Sequence, residues 1–319
     1  MEKYVFKIIP LAEIADTFPF RVRYRLDRDP RLEASLKVRG ILMPLLVSGG
    51  SPARMISGHR RFLAARALGL EKAPALELPA GLEDRDLYLA AILSNWQAGL
   101  TELDRAWTIR RASEEFNFSD SELVLEILPA LGLEAGAHTL RQALITAGLE
   151  TGLLDLAASG HLPFRGLEAF SVFSKLEQAF LSRVLGPSGM RLTTNQVLRF
   201  CEWLYDLSKK KGNLETCFKE PALSKVLCAD LEGRAKAEKF SEALRVLRFP
   251  NRALAEKKFQ DLRRRIEAGG ELQIEAPAFF EAEGLSVKAR LKNPEAFEKL
   301  LKALQSKQKL LNSFFDIML

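Results

Sequence analysis

Apolar positions in the first hundred residues switch repeatedly between the period of a strand and the period of a helix. Lys3–Ile9 alternates as a strand. Asp29-Pro30 followed by LEASLKVRG predicts a helix that stops at Gly40. ILMPLLV at 41–47 is a short β-rich run, closed by the turn Gly49-Gly50-Ser51-Pro52. MIS at 55–57 leads into the helix SGHRRFLAARALG, which ends at Gly69; PALELP is another strand and DRDLYLAAILSNWQ another helix. Strands and helices of these lengths predict an α/β domain over residues 1–100.

From Thr101 the helical period continues almost unbroken. Thr101-Glu102-Leu103-Asp104 reads as a cap opening a helix over Asp104–Phe116, and Ser119 caps a second over Glu122–Leu131. Thr139–Ala147 is a third, followed by GLLDLAASG, LEAFSVFSKLEQAFLSRVL and RLTTNQVLRFCEWLYDLS, with a break at KKKGN. After Pro250 the pattern becomes helix, two alternating strands (ELQIEA, LSVKARL) and a helix begun by Pro294. Such a small αββα unit is often stabilised by dimerisation. The expected fold is multidomain α+β: an α/β domain at 1–100, a helical domain at 101–248 and an αββα domain at 249–319.

Composition narrows the class. The 319 residues are 47% hydrophobic and 28% charged, as expected of a globular chain with a sizeable core. No signal-peptide run opens the sequence and no apolar run reaches membrane-spanning length, so the expectation is a cytoplasmic protein without membrane contact. Cys201, Cys217 and Cys228 lack CxxC or metal-ligand spacing and are expected as buried, reduced thiols. The net charge of +6 is unevenly spread: residues 1–100 carry +4, 101–190 carry −5 and 191–319 carry +7. A polyanion would be drawn to the two ends.

Arg60 and Arg61 sit in the first turn of a helix, where the macrodipole disfavours cations. A glycine-led helix start offers free N–H groups to an anion, and two guanidiniums add bidentate donors suited to phosphate. Either a phosphate offsets the crowding or Arg61 and Arg66 merely lie on a solvated helix face. His59 reads as a phosphate donor or proton acceptor, or as a helix-start residue with an exposed ring.

SLKVRGILMPLLV, SGHRRFLAARALG and SNWQAGLTELDRAW occur in an order and spacing that resemble the ParB-like partition proteins of the ParB/sulfiredoxin superfamily. An earlier family element ending in Pro-Arg is echoed by FPFR at 18–21. The resemblance implies a ParB/sulfiredoxin-like N-terminal domain, a helix-turn-helix middle domain and an αββα dimerisation domain. It implies CTP or a related nucleotide as ligand, with Gly58, His59, Arg60 and Arg61 at the phosphates, Arg21, Gly40 and Pro44 at the pocket, and Asn95 near both nucleotide and Mg2+. The family's motif glutamates are replaced by His59 and Ser94, and an arginine by Ala98, which argues for binding over turnover. A sulfiredoxin activity is disfavoured because the motif holds no cysteine.

For DNA the best recognition helix is Thr139–Ala147, with Leu140, Leu144 and Ile145 inward and Thr139, Arg141 and Gln142 outward. The acidic balance of this region leaves a packing module without DNA contact equally open. Arg263, Arg264 and Arg265 read as a phosphate patch or as a solvated helix end, and Phe279, Phe280, Phe297, Phe314 and Phe315 as core or dimer interface. The leading expectation is a homodimeric, nucleoid-associated DNA-binding protein. It would act as a nucleotide-responsive clamp in chromosome partition or transcription, with a ParA-like ATPase as a further partner. The alternatives are a nucleotide-dependent small-molecule kinase or nuclease on the same fold, and an interaction protein that has lost turnover.

Overall fold

A computed structural model describes residues 4–96, 99–267, 272–275, 286–289 and 293–318. The chain is mixed α/β and mostly helical, and it falls into two compact units: Met1–Glu202 with Cys228–Ala237, and Trp203–Leu227 with Glu238–Leu319.

The first unit opens with β1 (Val5–Pro10), α1 (Pro30–Arg39), β2 (Leu45–Ser48), β3 (Met55–Ser57), α2 (His59–Ala67), β4 (Lys72–Leu78) and α3 (Asp84–Ser94). The strands form one sheet in the order β1-β4-β2-β3. β2 runs parallel to β4, with Leu45 opposite Ala75 and Val47 opposite Glu77; β1 and β3 are antiparallel edges. Leu45, Val47, Ala73 and Ala75 face α2 through Phe62 and Ala65. Ile56 and Leu78 face the other way, onto Leu87, Tyr88 and Ile92 of α3. A helix on each face explains why β2 is an unbroken apolar run.

The helix ends follow local chemistry. Asp29 accepts from the amides of Arg31 and Leu32 at 3.0 and 3.2 Å, Pro30 fills the first turn, and Gly40 closes α1 at φ 67°. Thr101 and Asp104 form a reciprocal capping box at the start of α4 (Glu102–Glu114). Ser119 and Glu122 do the same for α5 (Asp120–Glu122). That helix continues as a π turn over Leu123–Ile127 and then as α6 (Leu128–Ala130). Pro129 has no N–H for the carbonyl four residues back, and the wider turn just before it accommodates the gap.

α7 (Ala137–Ala147), α8 (Thr151–Ala158) and α9 (Lys175–Ser188) complete the helical part of this unit, together with the start of α10 (Thr194–Lys211). Its core is continuous with the sheet: Phe20, Val22 and Tyr88 pack with Ile109, Phe116, Leu123, Ile127 and Leu140. Leu140 is buried in this core as expected and the half-buried Leu144 packs against it, whereas Ile145 is half-buried without joining it; Ala143, Thr146 and Ala147 complete the inward face of α7.

The second unit contains α11 (Leu214–Phe218), α12 (Pro221–Cys228, whose last residue belongs to the first unit), α13 (Gly233–Arg248, whose residues up to Ala237 belong to the first unit), α14 (Pro250–Glu267), the antiparallel pair β5 (Leu272–Glu275) and β6 (Ser286–Ala289), α15 (Pro294–Ser306) and α16 (Gln308–Met318). The helices between 214 and 248 have no counterpart among the expected elements. The final helical stretch is divided at Lys307, so α16 follows the helix–strand–strand–helix order. Phe259, Ile266, Ile274 and Leu300 form a small core. Phe297 is exposed; Phe279 and Phe280 lie outside the described residues, as do the side chains of Phe314 and Phe315. Cys201 and Cys217 are buried free thiols, but Cys228 is exposed.

Candidate functional site

α2 begins at Gly58, which adopts φ 98°, in the left-handed region that glycine tolerates. A Cβ there would lie 2.9 Å from Leu45 and 3.1 Å from a guanidinium nitrogen of Arg61, so both backbone and space require glycine. No side chain caps this helix. Its first amides therefore open onto a cavity of about 260 Å3 lined by Val22, Arg23, Leu26, Leu32, Ser57, Gly58, His59, Arg60, Arg61, Ser94 and Asn95. Three guanidiniums and no carboxylate contribute to that lining.

Each arginine is positioned by a different part of the fold. Arg60 pairs with Asp29, the N-cap of α1, at 2.5 Å, with both side chains part-exposed. Arg61 donates to the carbonyls of Met43 and of Pro44, the latter at 2.8 Å. Arg23 reaches Asp104 at 3.4 Å; that carboxylate also accepts from the Tyr24 amide at 2.8 Å and from the Thr101 amide at 3.0 Å. Burial lowers the pKa of Arg23 and of Arg61, and Arg60 adds repulsion at Arg23. Cations held together against desolvation make a site that favours an anion.

The His59 ring is buried rather than exposed, at 7%. It packs edge-on against Phe18 at 5.0 Å and hydrogen-bonds the backbone of Met55, while Nε2 has no partner. Burial, followed by the charge of Arg21, pushes its pKa down to about 4. The sign for stability follows directly: an unfolded histidine takes its proton near ~6.5 and the folded one near 4, so stability present above about pH 6.5 is lost as pH falls toward 4. The loss amounts to about 3 kcal/mol. Urea midpoints measured from pH 7 to pH 4 should fall in the wild type and fall less in His59→Gln.

Asn95 ends α3 and lines the cavity. Its amide nitrogen donates to the Ala91 carbonyl at 2.8 Å and to the Ser57 hydroxyl at 3.1 Å. Among the described residues no three His, Cys, Asp or Glu side chains converge. With no carboxylate in the lining, these donors suit a phosphate chain but do not by themselves make a magnesium site.

Arg21 is not part of the lining. Its guanidinium stacks on Trp107 at 4.9 Å, whereas Arg23, two residues on and without a motif of its own, enters the cavity. Gly40 and Pro44 also lie outside the lining, although the Pro44 carbonyl holds Arg61. Ala98 lies outside the described residues.

The DNA candidates are far from this cavity in sequence. On α7, Arg141 and Gln142 are exposed and Thr139 is half-buried. On α14, Arg263 pairs with Glu267 at 2.9 Å and Arg264 with Asp261 at 2.6 Å, which leaves Arg265 the more available of the three. No helix among the described residues is long and apolar enough to cross a membrane.

No protein-family model matches the chain. Among curated proteins, the chromosome-partitioning protein ParB of Myxococcus xanthus is 30% identical over 132 residues, covering 41% of this chain and 42% of that protein. A probable chromosome-partitioning ParB of Coxiella burnetii is 29% identical over 170 residues, covering 50% and 55%. The chain is ParB-like. It spans about half the length of these ParB relatives or less. Among solved structures, a C-terminally truncated Caulobacter crescentus ParB complexed to the centromeric parS site matches at 19% identity and TM-score 0.37, covering 61% of the ParB-like chain and 98% of that one. The same protein complexed with CTP-gamma-S matches at 20% identity and TM-score 0.25, covering 57% and 98%.

Proposed function

We propose that this chain is a DNA-binding partition protein whose first unit holds a CTP-type nucleotide at the Gly58–Arg61 cavity. The observation that carries the reading is the convergence of Arg23, Arg60 and Arg61 with an uncapped, glycine-led helix start around one cavity that no carboxylate lines. The names of the ParB relatives support the partition role. Arg60 and Arg61 would grip phosphate oxygens through paired N–H groups, and the α2 amides would complete the cradle. Asn95, Ser57 and Ser94 would supply polar contacts, and Val22, Leu26 and Leu32 an apolar wall. A bound nucleotide would supply charge and a surface for closing one copy on another, the clamp expected of a homodimer.

DNA would lie against α7, with Arg141 and Gln142 reading base edges and Thr139 a phosphate, and the αββα end would contribute Arg265 and its neighbours. The division into 1–100, 101–248 and 249–319 belongs to the same proposal, as do the Mg2+, the ParA-like ATPase and a cytoplasmic, nucleoid-associated location.

Calorimetric titration with the four nucleoside triphosphates, with and without Mg2+ and DNA, tests the reading. One triphosphate should bind the wild type, and Arg60→Ala should weaken it about tenfold. Asp29→Asn should tighten it several-fold at low salt, because asparagine keeps the cap of α1 while releasing Arg60 from a competing charge. No binding under any condition overturns the nucleotide site; steady turnover of a small hydroxylated substrate points to the kinase alternative.

A further inference from the structure

The sheet of the first unit is bare along one edge. α3 packs over Ile56 and Leu78, but that cover does not reach β1, where Tyr4, Phe6 and Ile8 are 65%, 60% and 57% exposed. Side chains of a strand alternate between faces, so these three form one apolar stripe. The half-buried Leu76 and Pro74 of β4, opposite Phe6 and Ile8, continue it. Val5, on the reverse face, is exposed as well. Edges are ordinarily blunted by charge. The one charge inside β1, Lys7, is instead drawn sideways onto Glu77 of β4.

The backbone of the same residues is unpaired. Leu11 donates to the Glu71 carbonyl at 2.8 Å, and the register from Pro10 opposite Lys72 to Val5 opposite Glu77 runs without a bulge. In an antiparallel ladder every second residue bonds its partner strand, so Ile9, Lys7 and Val5 turn their N–H and C=O groups toward β4. Ile8, Phe6 and Tyr4 turn theirs outward, where the sheet ends and no backbone group among the described residues meets them. Pro10, which has no N–H to offer, falls in the outward set, as an edge strand allows.

We propose that this edge takes the same edge of a second copy of the chain, antiparallel across a two-fold axis at Phe6, joining two four-stranded sheets into one. A strand that pairs with itself must set outward residues against outward residues, which permits few registers. Centred on Phe6, Phe6 meets Phe6 of the second copy and Tyr4 meets Ile8, exchanging about six N–H···O bonds. The apolar side chains of both copies then form a single stripe, and Val5 lies opposite Lys7. A shift of two residues would bring Lys7 against Lys7 at the closer Cα spacing of ~4.5 Å, and Tyr4 against Pro10, which cannot donate. The opposite shift strips Ile8 of an apolar partner. Charge and donor pattern therefore select the first register. Aromatic side chains of about 150–250 Å2 and a short edge bury less than the ~1,200 Å2 of a stable interface, so the contact is weak alone, with a Kd on the order of 10–100 µM. The edge shares no residue with the nucleotide cavity and stands or falls apart from that reading.

Sedimentation velocity of the full chain from about 5 to about 200 µM tests the contact. The wild type should gain mass across that range. Phe6→Lys sets two ammonium groups face to face, and Ile8→Pro removes an outward donor without touching the β4 ladder; each should weaken this step about tenfold or more. Neither change touches the αββα end, where a homodimer is expected, so the difference from wild type reads β1 alone. A short bis-maleimide locates the register in a Cys228→Ser background, where Cys201 and Cys217 are buried. It should join Phe6→Cys to itself and Tyr4→Cys to Ile8→Cys, but not Tyr4→Cys to itself, whose thiols would lie about 13 Å apart along the strand. Mass gain unaltered in both variants, or Tyr4→Cys linked to itself as readily as to Ile8→Cys, overturns the proposal. A wild type that gains no mass leaves the edge to a strand of another protein and overturns it too.

Discussion

Arg61→Ala is expected to cost about a hundredfold in nucleotide affinity, more than Arg60→Ala. Arg60 spends part of its charge on Asp29, whereas Arg61 is tied only to carbonyls, so its formal charge remains undiminished toward a ligand. A charge-assisted hydrogen bond contributes about 1.5–3 kcal/mol, and removing a bidentate grip on phosphate inside a partly desolvated cavity reaches that hundredfold. The truncation also frees the Met43 and Pro44 carbonyls, loosening the loop between α1 and β2. Arg61→Lys separates the two contributions: it keeps a charge but not the planar fork, and it should recover only part of the affinity. Titration calorimetry of the wild type and the two variants measures both steps. Equal affinity across the three would remove Arg61 from the site.

Arg111 has the largest expected effect on stability. Its side chain is 9% exposed, donates to the Arg21 carbonyl at 2.8 Å and the Pro19 carbonyl at 2.5 Å, and forms a two-point bond with Glu115. Its guanidinium also lies 4.7 Å from the centre of the Trp107 ring. Arg111→Met keeps much of the volume but leaves two carbonyls and a carboxylate without their donor, a loss of about 3–5 kcal/mol. Denaturation followed by tryptophan fluorescence should report it. Nucleotide affinity should fall too, because the segment from Pro19 to Arg25 carries Arg23 into the cavity. A variant as stable as the wild type would show that the segment is held elsewhere.

What the sequence made legible is what local chemistry decides. Asp29, Pro30 and Gly40 delimit α1, and Thr101 with Asp104 opens α4, because caps act within one turn. The glycine-led arginine pair was visible for the same reason. The choice of Arg23 over Arg21 was not. Arg21 and Arg23 are two positions apart, so strict alternation would put them on one side; the segment is irregular, and which arginine meets the cavity is set by partners on α4. Thr108 bonds the Val22 carbonyl at 2.9 Å, and Asp104 bonds the Tyr24 amide. Those bonds join residues eighty or more positions apart, beyond the reach of any spacing argument. The burial of His59 is likewise a tertiary fact, supplied by Phe18. The helices from 214 to 248 escaped because two of the three are too short to show several turns of periodicity.

Asp104 belongs to two structures at once, closing the first turn of α4 and anchoring the strap that presents Arg23. A piece of this protein trimmed at residue 100 would keep every arginine of the cavity and still lose the scaffold that aims one of them. For anyone cutting the chain down for assay or crystallisation, the smallest faithful fragment has to run through Glu115, and the ligand site and the first long helix after it are inherited as a single part.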